Sequence, residues 1–432
     1  MTNIYIVVEN ANRELYSRFL LIFEIFRKFG KKKVNIVIGE KNEIRKKILN
    51  YPKGIIIEKG IQKGSIKIVK KWYNLGHKVL MFDEESISYR DDKQYFGNKF
   101  DKNLEKYVDC FFLTGHRQKK TIKKKVKNFK YLLTGSLRVE LLKKKFLSIY
   151  DDEVSRLKKK FGNYIFITSR FANINYNSTK KLKYNKKIYG NYLSDTKIIF
   201  NEFKKLPEKI RERFKNTNIV VRPHPSEDLK VWKKITNNIN NCNIKYEGNI
   251  IPWILASKLV IHNRCTSGIE SFFLNKKTIS FDPLFKRDPL NYFFKEIGNN
   301  YDSLENLIRN INFKINKKSK KKIIQYFIYN CNKKQSHKII SNFIFNKYHY
   351  FKDKNEYQHK LVSSVDLLKL FLGKIFSLKS GYRKYSNQKI GEFNYFQLRK
   401  IIKMFSKLKE YKMSEKIKIK QVGKRIFCIN KI

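Results

Sequence analysis

The chain has 432 residues, of which 41% are hydrophobic and 15% aromatic, with 18 glycines and 7 prolines. This composition excludes a disordered, collagen-like or low-complexity chain, and the length suits about two to three domains with sizeable cores. Lys and Arg number 96 against 37 Asp and Glu, a formal net charge of +59, which taken alone points to nucleic acid or an anionic membrane surface.

The charge has a plainer source. The excess is mostly lysine and comes with abundant Asn, Ile, Tyr and Phe. These residues share AT-rich codons, so drift in base composition is read as its main cause. The N-terminus runs straight into a strand-like segment with no basic and apolar leader. No uncharged run reaches the ~18 residues a membrane span needs. A cytoplasmic protein is expected. The five cysteines (Cys110, Cys242, Cys265, Cys331, Cys428) are scattered and form no CxxC pair, which argues against a zinc site or a disulfide framework.

In chain order, Ile4–Val8 reads as a buried strand. Asn12–Phe29 reads as a helix with Leu15, Phe19, Ile22, Phe23 and Phe26 on one face, ended by Gly30. Strands are predicted at 34–38, 54–57, 78–82, 109–113 and 130–133, with helical stretches between most of them. A second series begins at 164–168 and continues at 218–221, 243–246, 258–261 and 278–281. Between its first two strands lie a Lys/Asn-rich loop at 173–190 and a helix over 195–214. Alternation of this kind predicts an α/β fold of two parallel, Rossmann-like sheets. The expected domains are 1–150, 151–315 and a basic helical tail at 316–432. In the tail, Leu361–Leu378 has apolar residues at helical spacing, and 393–408 reads as a further helix.

Two segments carry chemistry. In Val221-Arg222-Pro223-His224-Pro225-Ser226, a strand ends in a rigid proline loop that presents Arg222, His224 and Ser226. Arg222 can grip phosphate with its planar fork, and His224 can donate to a phosphate or move a proton. In Ile261-His262-Asn263-Arg264-Cys265-Thr266-Ser267-Gly268-Ile269-Glu270, a strand runs into a helix opening near Ser267. A helix N-terminus with small residues Thr266, Ser267 and Gly268 suits an anion, and Glu270 suits ribose hydroxyls. The plain alternative is a capping box, Ser267-x-x-Glu270, that only stabilises the helix. Both segments follow strands of one half and suggest a nucleotide-sugar site, with His262 beside it and a few cations such as Arg222 and Arg264 serving the phosphate.

The acids of the N-terminal half form a second set. Glu9 and Glu14 follow the first strand, and Asp83, Glu84 and Glu85 follow the strand at 78–82. In a parallel sheet both groups share one edge, where a carboxylate can act as base or nucleophile. His116 is a further candidate there. No GxxxxGK[ST] motif or strand-linked GxGxxG is present, which argues against an ATPase and a dinucleotide oxidoreductase, and there is no GxSxG elbow or HExxH.

The segments RPHPSED followed by Trp232, and IPW…HNRCTSGIES…ISFDP, together resemble the bacterial surface carbohydrate (surface polysaccharide) biosynthesis proteins, which are similar to GT-B glycosyltransferases. The N-terminal half adds Glu9, Arg13-Glu14-Leu15, Gly39, Lys59, Asp83-Glu84-Glu85, Thr114-Gly115 and Thr134-Gly135-Ser136-Leu137-Arg138. The resemblance covers roughly 3–285. It departs from the pattern at Gly135-Ser136-Leu137-Arg138, where Gly-Asn-Pro-Arg is expected.

The resemblance implies two domains facing a cleft, a C-terminal half that binds the activated donor and an N-terminal half that receives the acceptor. The expected activity is metal-independent, cofactor-free glycosyl transfer. The donor would be a nucleotide-sugar, with a CMP-sugar as one candidate, and the acceptor a saccharide or lipid-linked molecule at the inner face of the membrane. Separately from the resemblance, Leu361–Leu378 with its flanking lysines suits an anionic leaflet, the alternative being a C-terminal helix packed on the enzyme. Phosphotransfer from a CDP-polyol on the same fold is the near alternative. A nucleic-acid-binding protein is the distant one, since the motifs do not support it.

Overall fold

The computed structural model describes residues 1–60, 63–83, 85–87, 89, 91–176, 192–284, 291–294, 297–311, 321–348, 390–413 and 416–432. Glu84, the helix expected at Leu361–Leu378 and most of the 173–190 loop lie outside these residues. The described residues fall into two compact units. The first holds Met1–Ile149 with 321–348 and Ile390–Ile432; the second runs from Tyr150 to residue 311.

The first unit is built on an eight-stranded sheet. Six strands are parallel: β1 (Thr2–Val8), β2 (Val34–Glu40), β3 (Ile55–Lys59), β4 (Lys78–Phe82), β5 (Cys110–Leu113) and β6 (Tyr131–Leu133). β1 is buried along its whole length, as an apolar strand covered on both faces must be. The Ala11–Phe29 helix starts where the Asn10 side chain accepts from Arg13 N, and it stops at Gly30, whose φ of 59° suits glycine.

β3 extends past the predicted 54–57 to include Glu58 and Lys59. These charges are buried because each has a partner: Arg45 grips Glu58 with two hydrogen bonds (2.8 and 3.0 Å), and Lys59 meets Glu14. The expected helical tail needs a larger correction. Helices do occupy Ser336–Tyr348 and Tyr395–Ser406, but β13 (Ile417–Gly423) and β14 (Ile426–Lys431) then form a hairpin. β14 pairs antiparallel with β2, giving the order β13-β14-β2-β1-β3-β4-β5-β6.

The second unit is a six-stranded parallel sheet: β7 (Ile165–Thr168), β8 (Ile219–Arg222), β9 (Cys242–Ile244), β10 (Leu259–His262), β11 (Thr278–Phe281) and β12 (Asn299–Tyr301), in the order β12-β11-β10-β7-β8-β9. The single helix expected over 195–214 is two, Tyr192–Phe203 and Leu206–Arg213. Pro207 lies in the first turn of the second. A proline there cannot donate back to the preceding turn, so it opens a new helix instead of continuing the old one.

Strand order fixes where a ligand can sit. In the second sheet the chain moves outward from β7 through β8 and β9, then returns to the other side of β7 with β10, β11 and β12. Direction reverses between β7 and β10, so a crevice opens there beyond the strands' carboxyl ends. In the first sheet the reversal falls between β1 and β3.

Candidate functional site

The register of the second sheet aligns Arg222, Thr168, His262 and Ser280 in one row across β8, β7, β10 and β11. The residues immediately beyond that row form the edge. Between β7 and β10 these are Ser169 and Arg170 on one side and Asn263 to Thr266 on the other.

Glu227 organises the proline loop. Its buried carboxylate accepts from Ser169 Oγ (2.9 and 3.0 Å), Phe171 N (2.9 Å), His224 N (3.1 Å) and Trp232 Nε1 (2.8 Å). Burial pushes its pKa up, and these donors pull it back only in part. Sequence reasoning passed over Glu227, although an acid three residues after a strand-end histidine and five before a tryptophan is the available signal. His224 Nδ1 accepts from Ser226 N (3.2 Å). A neutral His224 ring therefore carries its proton on Nε2 and acts as a donor from that atom. Ser226 enters this turn through its backbone.

Arg222 is half-buried. Its Nη1 and Nη2 donate to the carbonyls of Glu247 (2.8 Å) and Gly248 (2.6 Å), and its guanidinium lies 6.0 Å from the Trp253 ring centroid. Burial lowers its pKa to about 10, against the pull of Glu247 and Glu270. Arg222 thus clamps the 246–249 turn. Arg264, held at φ 53°, pairs with buried Asp282 (Nε–Oδ2 2.9 Å). The cation that the sequence reading missed is Arg170, at the crevice itself. It is partly exposed, and its Nη1 donates to the Arg264 carbonyl (3.4 Å).

The Thr266–Phe273 helix has Cys265 as its N-cap, with no side-chain cap. This corrects the capping-box expectation. Ser267 is the second helical residue, and its hydroxyl bonds to Thr168 Oγ1 (2.6 Å) and to Cys265 Sγ. Glu270 is buried on the same helix, within electrostatic reach of Arg222. Gly268 is small for a different reason from the one expected. A Cβ there would lie 2.2 Å from His262 Nε2, so the missing side chain makes room for the His262 ring. That ring sits 5.6 Å from the Phe294 ring, and its Nδ1 has no hydrogen-bond partner among the described residues. His262 is therefore a core residue beneath the helix. Of the predicted donor residues, Arg222, His224, Ser226 and Thr266 are half-buried at or just past the strand ends, while His262 and Gly268 are buried beneath them.

Burial lowers His262 to a pKa of about 3 and His337, in the first unit, to about 2. Both are neutral in the fold, whereas an unfolded imidazole titrates near ~6.5. Their contribution is intact above that value and is lost as the pH falls from about 6.5 towards 3. Each histidine accounts for about 1.4 kcal/mol per pH unit across that window. Denaturation at stepped pH should show His262→Gln losing one proton's worth of this slope. An unchanged slope would contradict the assignment.

At the switch point of the first sheet the acids and bases interleave. Lys59 Nζ lies 2.6 Å from Glu14 Oε1 and 3.3 Å from Glu9 Oε2; Lys41 lies 3.6 Å from Glu9. Burial alone would lower the Lys59 ammonium, but Glu14 and Glu9 more than offset it and hold its pKa above the ordinary value. Glu14 also accepts from the amides of Glu9 (2.9 Å) and Asn10 (3.2 Å) and faces Arg18 (3.7 Å). Arg13 bridges to Glu85 at 2.9 Å.

Asp83 lies after β4 and lines a small cavity with Thr114, Thr134 and Ser136. Its Oδ1 accepts from Glu85 N, and its carbonyl accepts from Thr114 Oγ1. His116 opens the helix after β5 and is exposed. The sheet thus gathers Glu9, Glu14, Asp83, Glu85 and His116 at one edge. Among the described residues no group of three His, Cys, Asp or Glu side chains is placed to hold a metal, and no helix is long and apolar enough to cross a membrane.

Solved structures share this architecture. The chain is similar to UDP-GlcNAc 2-epimerase from Methanocaldococcus jannaschii, solved in complex with UDP-GlcNAc and UDP: TM-score 0.54, 12% identity, over 80% of this chain and 100% of that one. It is similar to the Neisseria meningitidis UDP-GlcNAc 2-epimerase bound to UDP-GlcNAc, with TM-score 0.50 and 11% identity over 80% and 100% of the two chains. The S. aureus MnaA–UDP structure gives 0.50 and 10% over 83% and 100%. No protein family and no curated protein matches the sequence. What is shared at this identity is the fold: two α/β units on parallel sheets, of the GT-B-like class.

Proposed function

We propose that the protein is a GT-B-type enzyme acting on a nucleotide-activated sugar, and specifically a glycosyltransferase. The observation that carries this reading is the reversal between β7 and β10, where Arg170, the His224 ring and the Thr266–Phe273 helix N-terminus lie around one sheet edge. Cationic, imidazole N–H and backbone N–H donors together suit a pyrophosphate or phosphate diester. Glu270, on the same helix, is our candidate for the ribose hydroxyls. In the first unit, Glu9, Asp83 and Glu85 are the carboxylates available to deprotonate an acceptor hydroxyl. Glu14, which holds Lys59 and the Glu9 and Asn10 amides, positions Glu9. The structural neighbours were solved with UDP or UDP-GlcNAc, so uridine nucleotides join CMP and CDP as donors to test.

The test is thermal stabilisation by UDP, CDP, CMP and UDP-GlcNAc, since a ligand that binds only the folded state raises its melting point. Product analysis with candidate acceptors then separates transfer from epimerisation. Arg170→Ala is expected to weaken nucleotide affinity about tenfold or more, the effect of losing a charge-assisted contact. Wild-type affinity in Arg170→Ala, or no stabilisation by any nucleotide, would overturn the reading.

A further inference from the structure

The Tyr395–Ser406 helix of the first unit has two unlike faces. Leu398, Ile401, Ile402, Met404 and Phe405 are buried. On the opposite side Phe396 is 81% exposed, and Arg399, Lys400, Lys403 and Lys407 are exposed with it. At 3.6 residues per turn, these five side chains fall within an arc of roughly 100°. Tyr395, whose ring is 5.9 Å from that of Phe396, adds a second exposed aromatic at the same end. The helix itself contains no acid; Glu392 precedes it, and Glu410 beyond it pairs with Lys145 at 3.5 Å.

An exposed phenylalanine at one end of a cationic stripe is costly in water and has no role in this unit's core. We propose that this face docks on an anionic lipid bilayer, with the helix lying in the interface plane. Phe396 enters the headgroup boundary, and Arg399, Lys400, Lys403 and Lys407 meet the lipid phosphates. The charge complementarity is what selects this occupant. Apolar residues on one part of a helix and basic ones beside them are what an interfacial helix requires. Phenylalanine offers apolar area with no hydrogen-bonding group, which suits acyl chains. The face differs from the Leu361–Leu378 stretch that the sequence suggested for membrane contact, and the proposal stands independently of the nucleotide-sugar reading.

The test is co-sedimentation of the full chain with vesicles of phosphatidylcholine alone and with about one-third phosphatidylglycerol. Wild type should bind only the anionic vesicles, and salt should weaken the binding. Lys400→Gln/Lys403→Gln should reduce partitioning roughly 30-fold, since each cation near the surface contributes about fivefold. Phe396→Ser should reduce it about tenfold. The melting temperature of each variant is measured alongside, so that a loss of fold is told apart from a loss of vesicle binding. As a second readout, Phe396→Trp should show a blue-shifted emission on anionic vesicles. Wild-type vesicle binding in both loss variants, equal binding to neutral vesicles, or an unshifted tryptophan would overturn the proposal. So would variants that lose affinity for a single-stranded RNA oligonucleotide when the wild type ignores vesicles.

Discussion

Glu227→Ala is expected to lower the unfolding free energy by about 3–5 kcal/mol, the range for stranding several buried groups that relied on one partner. The carboxylate serves four donors from three stretches of chain: Ser169 and Phe171 after β7, His224 in the proline loop, and Trp232 on the following helix. Alanine supplies no acceptor. The Phe171 and His224 amides cannot turn to find another, and the Trp232 indole is fully buried. Because burial already raises the carboxyl's pKa, the loss comes from stranded donors more than from a removed charge. Denaturant titration measures it. A loss under about 1 kcal/mol would mean that water replaces the carboxylate, as an exposed acid would allow. The loop that presents His224 depends on the same hub, so on the proposed function nucleotide binding should weaken in step with stability.

Gly268→Ala should cost about 1–3 kcal/mol despite alanine's better helix propensity, because the new methyl would sit 2.2 Å from His262 Nε2 and 2.3 Å from its Cε1. His262 has little room to yield: it is fully buried and packs against Phe294. The informative measurement is a double-mutant cycle. In a His262→Ala background the obstacle is gone, so adding Gly268→Ala should be neutral or stabilising by up to about 1 kcal/mol, the Ala–Gly propensity difference. The coupling should reach about 2 kcal/mol or more, as for residues in direct contact. If Gly268→Ala costs the same in both backgrounds, the glycine is required by something other than the ring.

Parallel strands were legible because they are apolar runs set between helical periodicities. The row of strand ends followed from the same pattern, which is why both candidate edges could be named from sequence. Partnership was not legible. Arg222, Arg264 and Arg170 look alike along the chain, yet two of them are engaged, by the 247–248 carbonyls and by Asp282, while Arg170 sits at the crevice. Those partners lie 18 to 26 residues away in contacts that no local spacing records. The short, half-polar strand β12 and the lysine-rich β13 were missed for a related reason. They are Asn-Asn-Tyr and a strand exposed over most of its length, so neither shows the apolar run that marks a buried strand. Likewise Gly268 and Ser267 matched an anion-binding turn by size, while their actual neighbours are a buried ring and a hydroxyl.

The hairpin on the first sheet has a consequence for how the chain matures. β2 is made early, but its outer neighbour β14 arrives only near residue 430, and the Cys428–Asn35 contact joins positions 393 residues apart. The second unit's sheet is complete once residue 301 has been made. On a ribosome the later-coded unit can therefore finish first, while the earlier one waits with a bare strand edge. Such an edge is a template for wrong pairing. A frameshift ahead of β14 would leave that edge exposed for good, turning a change far from either candidate site into a solubility defect.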